Sequence, residues 1–345
     1  MKEYWKARLP AKEQAVYNAL HHAIIGQKST VEIAGIDYAK LPNILSSILR
    51  DHPQLYNVSP QLGVNASLFK MCAQLQYLYG AADKKKIDAY IVEYQRKISA
   101  LKTLQDVKAE LKIVEDLALS VSYAINDVYN QNAAAALYYK QAQCSGIAGA
   151  FKWSMDFLGI PCITVNGTVK DPGTNTQGPH AWNIVQIDGV FYHVDVTMMI
   201  GANMAKKKPL FYHLINCSDA KLQQNGYQWD VSSTPRCSQD MDLSAFIQSP
   251  QYSSAAKTSA SVHSTAKTGN AREFNRLYEV NGAVEECLAK RQERFECILN
   301  VSGYSAEKLL RLLLNIAKEK AQKLNLALSI NGQVTNDYYT LTFTY

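Results

Sequence analysis

The chain has 345 residues, of which 47% are hydrophobic and 19% charged. This length allows two or three compact domains, and the composition is typical of a folded globular protein and excludes wholesale disorder. The net charge is +6, but the basic residues are scattered apart from short runs at 83–86 and 205–209. We interpret both runs as solvated loops or helix starts rather than as a nucleic-acid surface.

The sequence contains no targeting or membrane signal in the form given. The N-terminal segment lacks the uninterrupted apolar run of a signal peptide, and no later segment has 18 consecutive apolar residues. We therefore expect a cytoplasmic protein, although a secreted or cell-surface location stays open if a leader was removed. Seven cysteines without a C-x-x-C pair disfavour a zinc ribbon and a complete disulfide framework. Most of them are expected to be small buried hydrophobic residues.

The first hundred residues, 1–100, predict a small α+β domain. Apolar residues recur there at helical spacing, alternate as in a strand, and then repeat the helical spacing before two further β-rich runs. The order of elements is therefore α-β-α-β-β. The two helical patterns cover 11–27 and 37–53, and the three β-like runs lie at 29–36, around 54–58 and at 68–79.

Three further regions follow. Residues 101–245 form a middle block, which begins within a long helical pattern over 85–130 that predicts one or two helices. Residues 246–270 are rich in Ser, Thr and Ala and predict a linker or loop. Residues 271–345 repeat the α-β-α-β-β order, beginning with a helix over 271–292. A diverged duplication of the first domain is one explanation, and coincidence of two similar units is the other.

Cys144 stands at the predicted start of a helix in the middle block. Ser145 and Gly146 follow it, and an apolar helical face runs on to Leu158. The first turn of a helix has unpaired N–H groups and the positive end of the dipole, so a thiolate there is stabilised and the pKa of the thiol is lowered. The small neighbours leave room for a substrate carbonyl, and the N–H of Cys144 could donate to an oxyanion.

A predicted β-hairpin over 178–197 can supply a base. Its two alternating runs are joined by Asp188 and Gly189, a favoured two-residue turn. With that turn Trp182 comes opposite Asp195, and His180 is the diagonal neighbour on the same face, within reach of a side-chain hydrogen bond. The hairpin therefore predicts an imidazole next to a carboxylate.

A thiol nucleophile with a base beside it and a third group orienting the base is the arrangement of cysteine enzymes. His193 is a rival base, since it shares the face of Asp195. We favour His180, because it begins its strand at an open end of the sheet, and we expect His193 to support the core.

At these residues the sequence resembles the transglutaminase-like superfamily, relatives of the papain-like thiol enzymes, and especially its bacterial members. The resemblance runs through 143–169, 180–197 and 211–219. It implies an α+β fold with a papain/transglutaminase-like core, in which the nucleophile helix packs on an antiparallel sheet. In this chain the core is expected to be flanked by the two small α-β-α-β-β domains.

The resemblance also implies residue roles: Cys144 is the nucleophile, His180 the general base and Asp195 its orienting partner. Trp182 and Thr197 belong to the same motifs as supports. The remaining candidates for the substrate pocket are Ser145, Gly146, Tyr138 and Gln141, of which the last two are also candidate side-chain oxyanion donors.

Some positions depart from the pattern of the family. Glu115 and Asp116 stand where members often have a His-Asp pair, and Ala134 stands where many have a tyrosine. Residues 198–200 read Met-Met-Ile in place of a frequent Trp-Asp-Asp. The three central residues are kept while the surrounding walls differ.

The predicted function is cysteine-dependent acyl transfer on a protein or peptide amide through a thioester. Resolution by water would make a protease or amidase, which we favour, and resolution by an amine would make a cross-linking enzyme. We expect no metal or other cofactor, since no phosphate loop or metal-ligand spacing is present, and no nucleic-acid or membrane partner. The oligomeric state is left open. The alternative is a non-catalytic binding or scaffold module of the same fold.

Overall fold

The computed structural model describes residues 1–248 except 2, 67–70, 125–127, 171–174, 203–209 and 211. The chain folds into two compact units, residues 1–249 and residues 250–345. In the second unit the described residues are 272–274, 284, 286–299, 310, 313, 314, 317, 318, 320–322, 324, 326–335 and 338–344. Most of the predicted linker, 246–270, lies outside the described residues. The finer division of the first unit at residue 100 stays a prediction.

The first unit begins with two helices and a three-stranded antiparallel sheet of order β1-β3-β2. Apolar residues of both helices and of the sheet form one core, including Leu20, Leu45 and Ala73. The order of elements is the α-β-α-β-β order expected from the sequence. The elements are α1 (Ala11–Ile25), β1 (Thr30–Ile33), α2 (Leu41–Asp51), β2 (Val58–Ala66) and β3 (Met71–Tyr77).

The strand expected around 54–58 is misplaced. Residues 53–57 are mostly turns, and β2 begins only at Val58. The strand contains Pro60 and Gly63, residues that normally argue against a strand interior. Its pairing with β3 is irregular between Val58 and Leu62, which is where an edge strand can accommodate a proline.

The long helical pattern after the first sheet forms two helices, α3 (Ala81–Ile98) and α4 (Asp106–Ser120), joined by a 3-10 segment at 99–103. Two short strands then pair in parallel, β4 (Ser122–Tyr123) and β5 (Gln141–Ala142). This pairing brings the chain after α4 beside the residues that lead into the next helix.

A five-stranded antiparallel sheet with order β10-β6-β7-β8-β9 is the centre of the first unit. The helix α5 (Cys144–Leu158) packs against β6 and β7. The predicted turn is of type I′, with φ of 50° at Asp188 and 82° at Gly189. The strands are β6 (Cys162–Lys170), β7 (Gln177–Ile187), β8 (Val190–Val194), β9 (Ile215–Cys217) and β10 (Tyr227–Gln228), and the short helices are α6 (Val196–Ala202), α7 (Asp219–Gln224) and α8 (Leu243–Gln248).

The sequence of α5 explains its position on the sheet. Ile147, Phe151 and Met155 recur at helical spacing and are fully buried. The helix ends at Gly159, whose φ of 86° is favourable for glycine. At its start, a Cβ on Gly146 would lie 2.7 Å from the carbonyl oxygen of Asn130. Glycine there lets the preceding loop pack closely against the first turn.

The second unit has a four-stranded sheet of order β11-β12-β14-β13. The sequence prediction of a helix over 271–292 is wrong at its start, because 272–274 pair in parallel with β12. Edge pairing supplies the backbone hydrogen bonds that a helix would otherwise have supplied. The strands are β11 (Arg272–Phe274), β12 (Arg294–Leu299), β13 (Ser329–Thr335) and β14 (Tyr338–Thr344), and helical residues include 284, 286–289 and 320–322.

The two small sheets share one topology. In the second unit the order β12-β14-β13 corresponds to β1-β3-β2 in the first, with antiparallel pairing throughout. Unrelated orders would have ended the duplication hypothesis, which therefore stays a prediction. None of the helices that the structure describes is both long and apolar enough to cross a lipid bilayer.

Candidate active site

The thiol of Cys144, the ring of His180 and the carboxylate of Asp195 form one chain of contacts. Cys144 is the first residue of α5 and is half-buried. Its thiol and the ring of His180 on β7 are close enough to shift each other's pKa. The Nε2 atom of His180 lies 2.6 Å from Oδ2 of Asp195, the residue after β8. Because Nε2 meets the carboxylate, Nδ1 is the ring nitrogen left to face the sulfur.

Asp195 is 1% exposed, and both of its carboxylate oxygens accept hydrogen bonds. Oδ1 accepts from the backbone N–H of Met198 at 3.0 Å, and Oδ2 accepts from the hydroxyl of Tyr227 at 2.5 Å in addition to the histidine. Burial raises the pKa of Asp195, but the charge and hydrogen bond of His180, together with these donors, hold it below its ordinary value. The carboxylate is therefore ionised and fixed in orientation.

The thiol and the imidazole shift each other toward a charged pair. Burial raises the pKa of the Cys144 thiol, yet the hydrogen bond and charge of His180 outweigh burial and bring the pKa below its ordinary 9.0. Burial likewise lowers the pKa of His180, while the charge and hydrogen bond of Asp195, with a further contribution from Cys144, raise it to about 10. The thiol is therefore more acidic than an ordinary cysteine, and the imidazole is more basic than an ordinary histidine.

Backbone groups complete the surroundings of the sulfur. The backbone N–H groups of Ala181 and Ser145 also help to lower the pKa of the Cys144 thiol. Ser145 follows the cysteine in the first turn of α5, where N–H groups have no partner within the helix. The predicted helix start therefore supplies polar hydrogens to the thiolate.

Trp182 packs near the ring of His180. Its buried ring stacks near that of His180, with 6.0 Å between centroids. Its Nε1 donates to Nδ1 of His193 at 3.0 Å, and Nε2 of His193 lies 2.8 Å from Asp219. The rival histidine is thus buried behind the tryptophan rather than beside the thiol. On the neighbouring strand, a Cβ on Gly167 would lie 2.7 Å from the indole, so a larger residue would displace it.

Three of the weaker candidates lie in different parts of the first unit: Tyr138, Gln141 and Thr197. Tyr138 makes ring contacts with Tyr90 and Tyr139, at 5.3 and 4.8 Å between centroids, and no described contact joins it to the catalytic candidates. Gln141 is an exposed residue of β5, whose backbone pairs with Ser122. Thr197 is buried in the first turn of α6, two residues after Asp195. The oxyanion roles considered for Tyr138 and Gln141 have no support in these contacts.

Two tyrosines at the site were missed by the sequence interpretation. Burial, followed by the charge of Cys144 and hydrogen bonding to it, raises the pKa of Tyr123, which therefore lies near the thiol. Tyr227 donates to Asp195, and burial and that carboxylate raise its pKa. Both residues lie on two-residue strands that pair with distant segments, β4 with β5 and β10 with β6. Strands this short have no periodic signal.

His193, Asp219 and Cys237 offer ligand atoms that lie within 4.8 Å of one another. However, Nδ1 of His193 accepts from Trp182, a group that can only donate, so Nε2 carries the proton and donates it to Asp219. Burial raises the pKa of the Cys237 thiol. We interpret the cluster as a satisfied polar network and not as a metal site, since both histidine nitrogens are already engaged.

The comparison with protein families supports the class indicated by the site. Residues 93–196 match the sequence model of the transglutaminase-like superfamily. The match covers α5 and the hairpin that carries His180, and it ends at the residue after Asp195. The resemblance stated from the sequence is thereby confirmed for this part of the chain. A comparison with curated proteins finds no match.

Two solved structures are similar to parts of this chain. One is described as a crystal structure of a TGase and has 13% identity, a TM-score of 0.29, and coverage of 49% of this chain and 50% of its own. The other is a candidate cysteine protease from Cytophaga hutchinsonii, with 13% identity, a TM-score of 0.27, and coverage of 42% of this chain and 65% of its own. In both cases less than two thirds of the other chain is spanned.

Proposed function

We propose that Cys144, His180 and Asp195 catalyse acyl transfer from a protein or peptide amide through a thioester intermediate. The observation that carries this proposal is the grouping of a half-buried thiol, an imidazole that lowers the pKa of that thiol, and a buried carboxylate 2.6 Å from the imidazole. The match of residues 93–196 to a family of cysteine enzymes supports it.

The chemistry follows from the proton positions. The thiolate of Cys144 attacks the amide carbonyl carbon, and the electron pair of the C=O bond moves to the oxygen. The N–H groups at the start of α5 are suited to stabilise that oxyanion. When the C–N bond breaks, the imidazolium of His180 gives its proton to the departing amine. Asp195 keeps the ring in the orientation that this transfer needs.

Hydrolysis is the proposed fate of the thioester. A water molecule gives a proton to the neutral ring of His180 as its oxygen attacks the acyl carbon, and the C–S bond breaks to release a carboxylic acid and the thiolate. Water is the default acceptor, because transfer to an amine also requires that the site hold the amine and exclude water. A cross-linking enzyme is the alternative outcome within the same chemistry.

The first test is alkylation of individual cysteines with iodoacetamide near neutral pH, followed by peptide mass spectrometry. We expect Cys144 to react much faster than Cys72, which is also half-buried and serves as the internal control. Burial raises the pKa of the thiols at Cys162, Cys217, Cys237 and Cys297, so these should react slowest. In His180→Ala the rate at Cys144 should fall by ~10–100-fold, because an ordinary thiol is only a few per cent thiolate at neutral pH.

Equal and slow labelling of Cys144 and Cys72 would contradict the catalytic proposal. That result would favour the alternative of a non-catalytic binding or scaffold module of the same fold. Loss of reactivity in His180→Ala has to be read beside a melting curve, so that unfolding is not mistaken for loss of the base.

The second test identifies the reaction. The intact protein and Cys144→Ala are incubated with a peptide library, with and without a labelled primary amine, and the products are identified by mass spectrometry. We expect cleavage or deamidation products that are lost in Cys144→Ala. Incorporation of the amine in preference to water would replace hydrolysis by cross-linking.

A further inference from the structure

A second group of reactive side chains lies in the N-terminal part of the first unit. Glu3, His21 and His52 are contributed by three segments: the N-terminal residues, α1 and the residue after α2. Their ligand atoms, one from each residue, lie within 4.8 Å of one another. The two imidazole rings are stacked, with 4.2 Å between centroids and 17° between planes, so one ring has to rotate for both nitrogens to face the same ion. Two histidines and one carboxylate are a ligand set that zinc and other divalent transition metals use in proteins.

A neighbouring carboxylate holds the N-terminal segment that carries Glu3. Asp51 precedes His52 and accepts the backbone N–H groups of Trp5 and Lys6, each at 3.0 Å. It also accepts the hydroxyl of Tyr17 at 3.0 Å. These bonds attach the N-terminal segment to the end of α2. The three ligand groups are therefore brought together by the fold and not by a chance contact of surface side chains.

His52 presents a nitrogen that suits a ligand role. Its Nε2 is buried and has no hydrogen-bond partner within the described part of the chain. A buried polar atom without a partner is unfavourable, and a metal would supply the partner. On the other side of the ring, Nδ1 lies 3.4 Å from the side-chain amide of Gln54. With the amide turned over, its oxygen can accept from Nδ1–H and leave the lone pair on Nε2.

The cluster borders a cavity of about 620 Å³, which Glu3 and His52 help to line. The opposite wall is formed by the last turns of α5, including Trp153 and Phe157. A helix of 15 residues places its ends about 20 Å apart. The cavity is therefore at the other end of α5 from Cys144, and the cluster is separate from the candidate active site.

We propose that His21, His52 and Glu3 bind one divalent transition-metal ion, Zn²⁺ in the first instance, with a remaining coordination position facing the cavity. Binding has to displace Lys6, which is 2.7 Å from Glu3. A partly exposed ion pair contributes little to stability, much less than a set of metal-ligand bonds.

The test uses Co²⁺ as a spectroscopic substitute for Zn²⁺. The full chain, without an affinity tag and with Cys144→Ala to remove the reactive thiolate, is titrated with Co²⁺ and then with competing Zn²⁺. We expect one equivalent of Co²⁺ to give visible absorption bands of a low-symmetry site, which Zn²⁺ abolishes. His52→Ala and Glu3→Gln should each weaken binding by at least ~10–100-fold, the loss typical of even an outer-shell partner.

His22→Ala is the matched control, because His22 is the exposed neighbour of His21 on the same helix. It should leave the titration unchanged. Glu3→Gln removes a half-exposed carboxylate and should preserve the fold, which a melting curve without metal verifies. Absence of a one-equivalent Co²⁺ signal, or equal binding by the control and by both ligand variants, would overturn the proposal. Neither result bears on the cysteine chemistry proposed above.

Discussion

Glu110 on α4 is completely buried, and we expect it to make the first unit less stable as the pH rises. Its Oε2 accepts one hydrogen bond, from the side-chain amide of Asn216 on β9 at 2.8 Å. In the described part of the chain, Oε1 of Glu110 and Oδ1 of Asn216 have no partner. Burial raises the pKa of Glu110 from 4.5 to about 8, against a smaller opposing effect of Asn216. At neutral pH the carboxyl group is therefore protonated.

The direction of this pH effect follows from the protonation of Glu110 in the folded and in the unfolded chain. Below pH 4.5 the carboxyl is protonated whether the chain is folded or not. Between pH 4.5 and about 8 the unfolded chain loses the proton and the folded chain keeps it, so the free energy of unfolding falls by ~1.4 kcal/mol for each pH unit. Over the whole window the loss from this one group is roughly 5 kcal/mol. Above that window the loss is complete.

Glu110→Gln removes the titration and offers an amide donor toward the oxygen of Asn216. We expect the variant to be more stable than the parent by an amount that grows with pH, measured by urea unfolding at several pH values between about 5 and 8. Glu93→Gln on α3 is the control, since Glu93 is exposed and paired with Arg96, and it should keep the parental pH slope. A difference between Glu110→Gln and the parent that does not change with pH would refute the reasoning.

Further predictions concern the site. On acidification the alkylation rate of Cys144 should fall at a pH below 9.0, because the thiolate becomes protonated. On the alkaline side, amide turnover should fall near pH 10, because the imidazolium of His180 loses its proton. In Asp195→Asn the support for that imidazolium is lost, so the acid limb of alkylation should move toward the pH of an ordinary thiol; an unmoved limb would contradict the ion pair. Gly167→Ala should lower the free energy of unfolding by ~1–3 kcal/mol, because its Cβ would lie 2.3 Å from a backbone oxygen. Gly178→Ala, with open space at its Cβ, is the matched control for thermal melting.

The hairpin and the nucleophile helix could be predicted because their signals are local. The turn at Asp188 and Gly189 fixes the register, so the pairing of Ile187 with Val190 and of Ile184 with His193 follows by counting. The apolar face of α5 likewise follows from the 3.6-residue period. Once that register was fixed, a histidine and an aspartate on one face could be expected to meet.

The parts that could not be predicted depend on contacts between distant segments. Tyr227 reaches Asp195 because β10 pairs with β6, opposite Val169, and that pairing joins residues almost sixty positions apart. Tyr123 reaches Cys144 through the parallel pairing of β4 with β5. The strand at 272–274 replaced a helix for the same reason, since pairing with β12 outweighs local helical preference. Where a short strand forms is determined by the strand that it pairs with, and not by a pattern in its own sequence.

Donors from three parts of the first unit contact Asp195. Through His180 they affect the protonation of the Cys144 thiol. The carboxylate receives the ring of His180 from β7, the hydroxyl of Tyr227 from β10 and the N–H of Met198 from α6. A buried carboxylate that loses such donors becomes easier to protonate, and a protonated Asp195 no longer supports an imidazolium. Local separation of β10 from β6 would therefore reduce the nucleophilicity of Cys144 before the unit unfolds. The proposed reactivity of the thiol therefore depends on this short edge strand, which has no chemistry of its own.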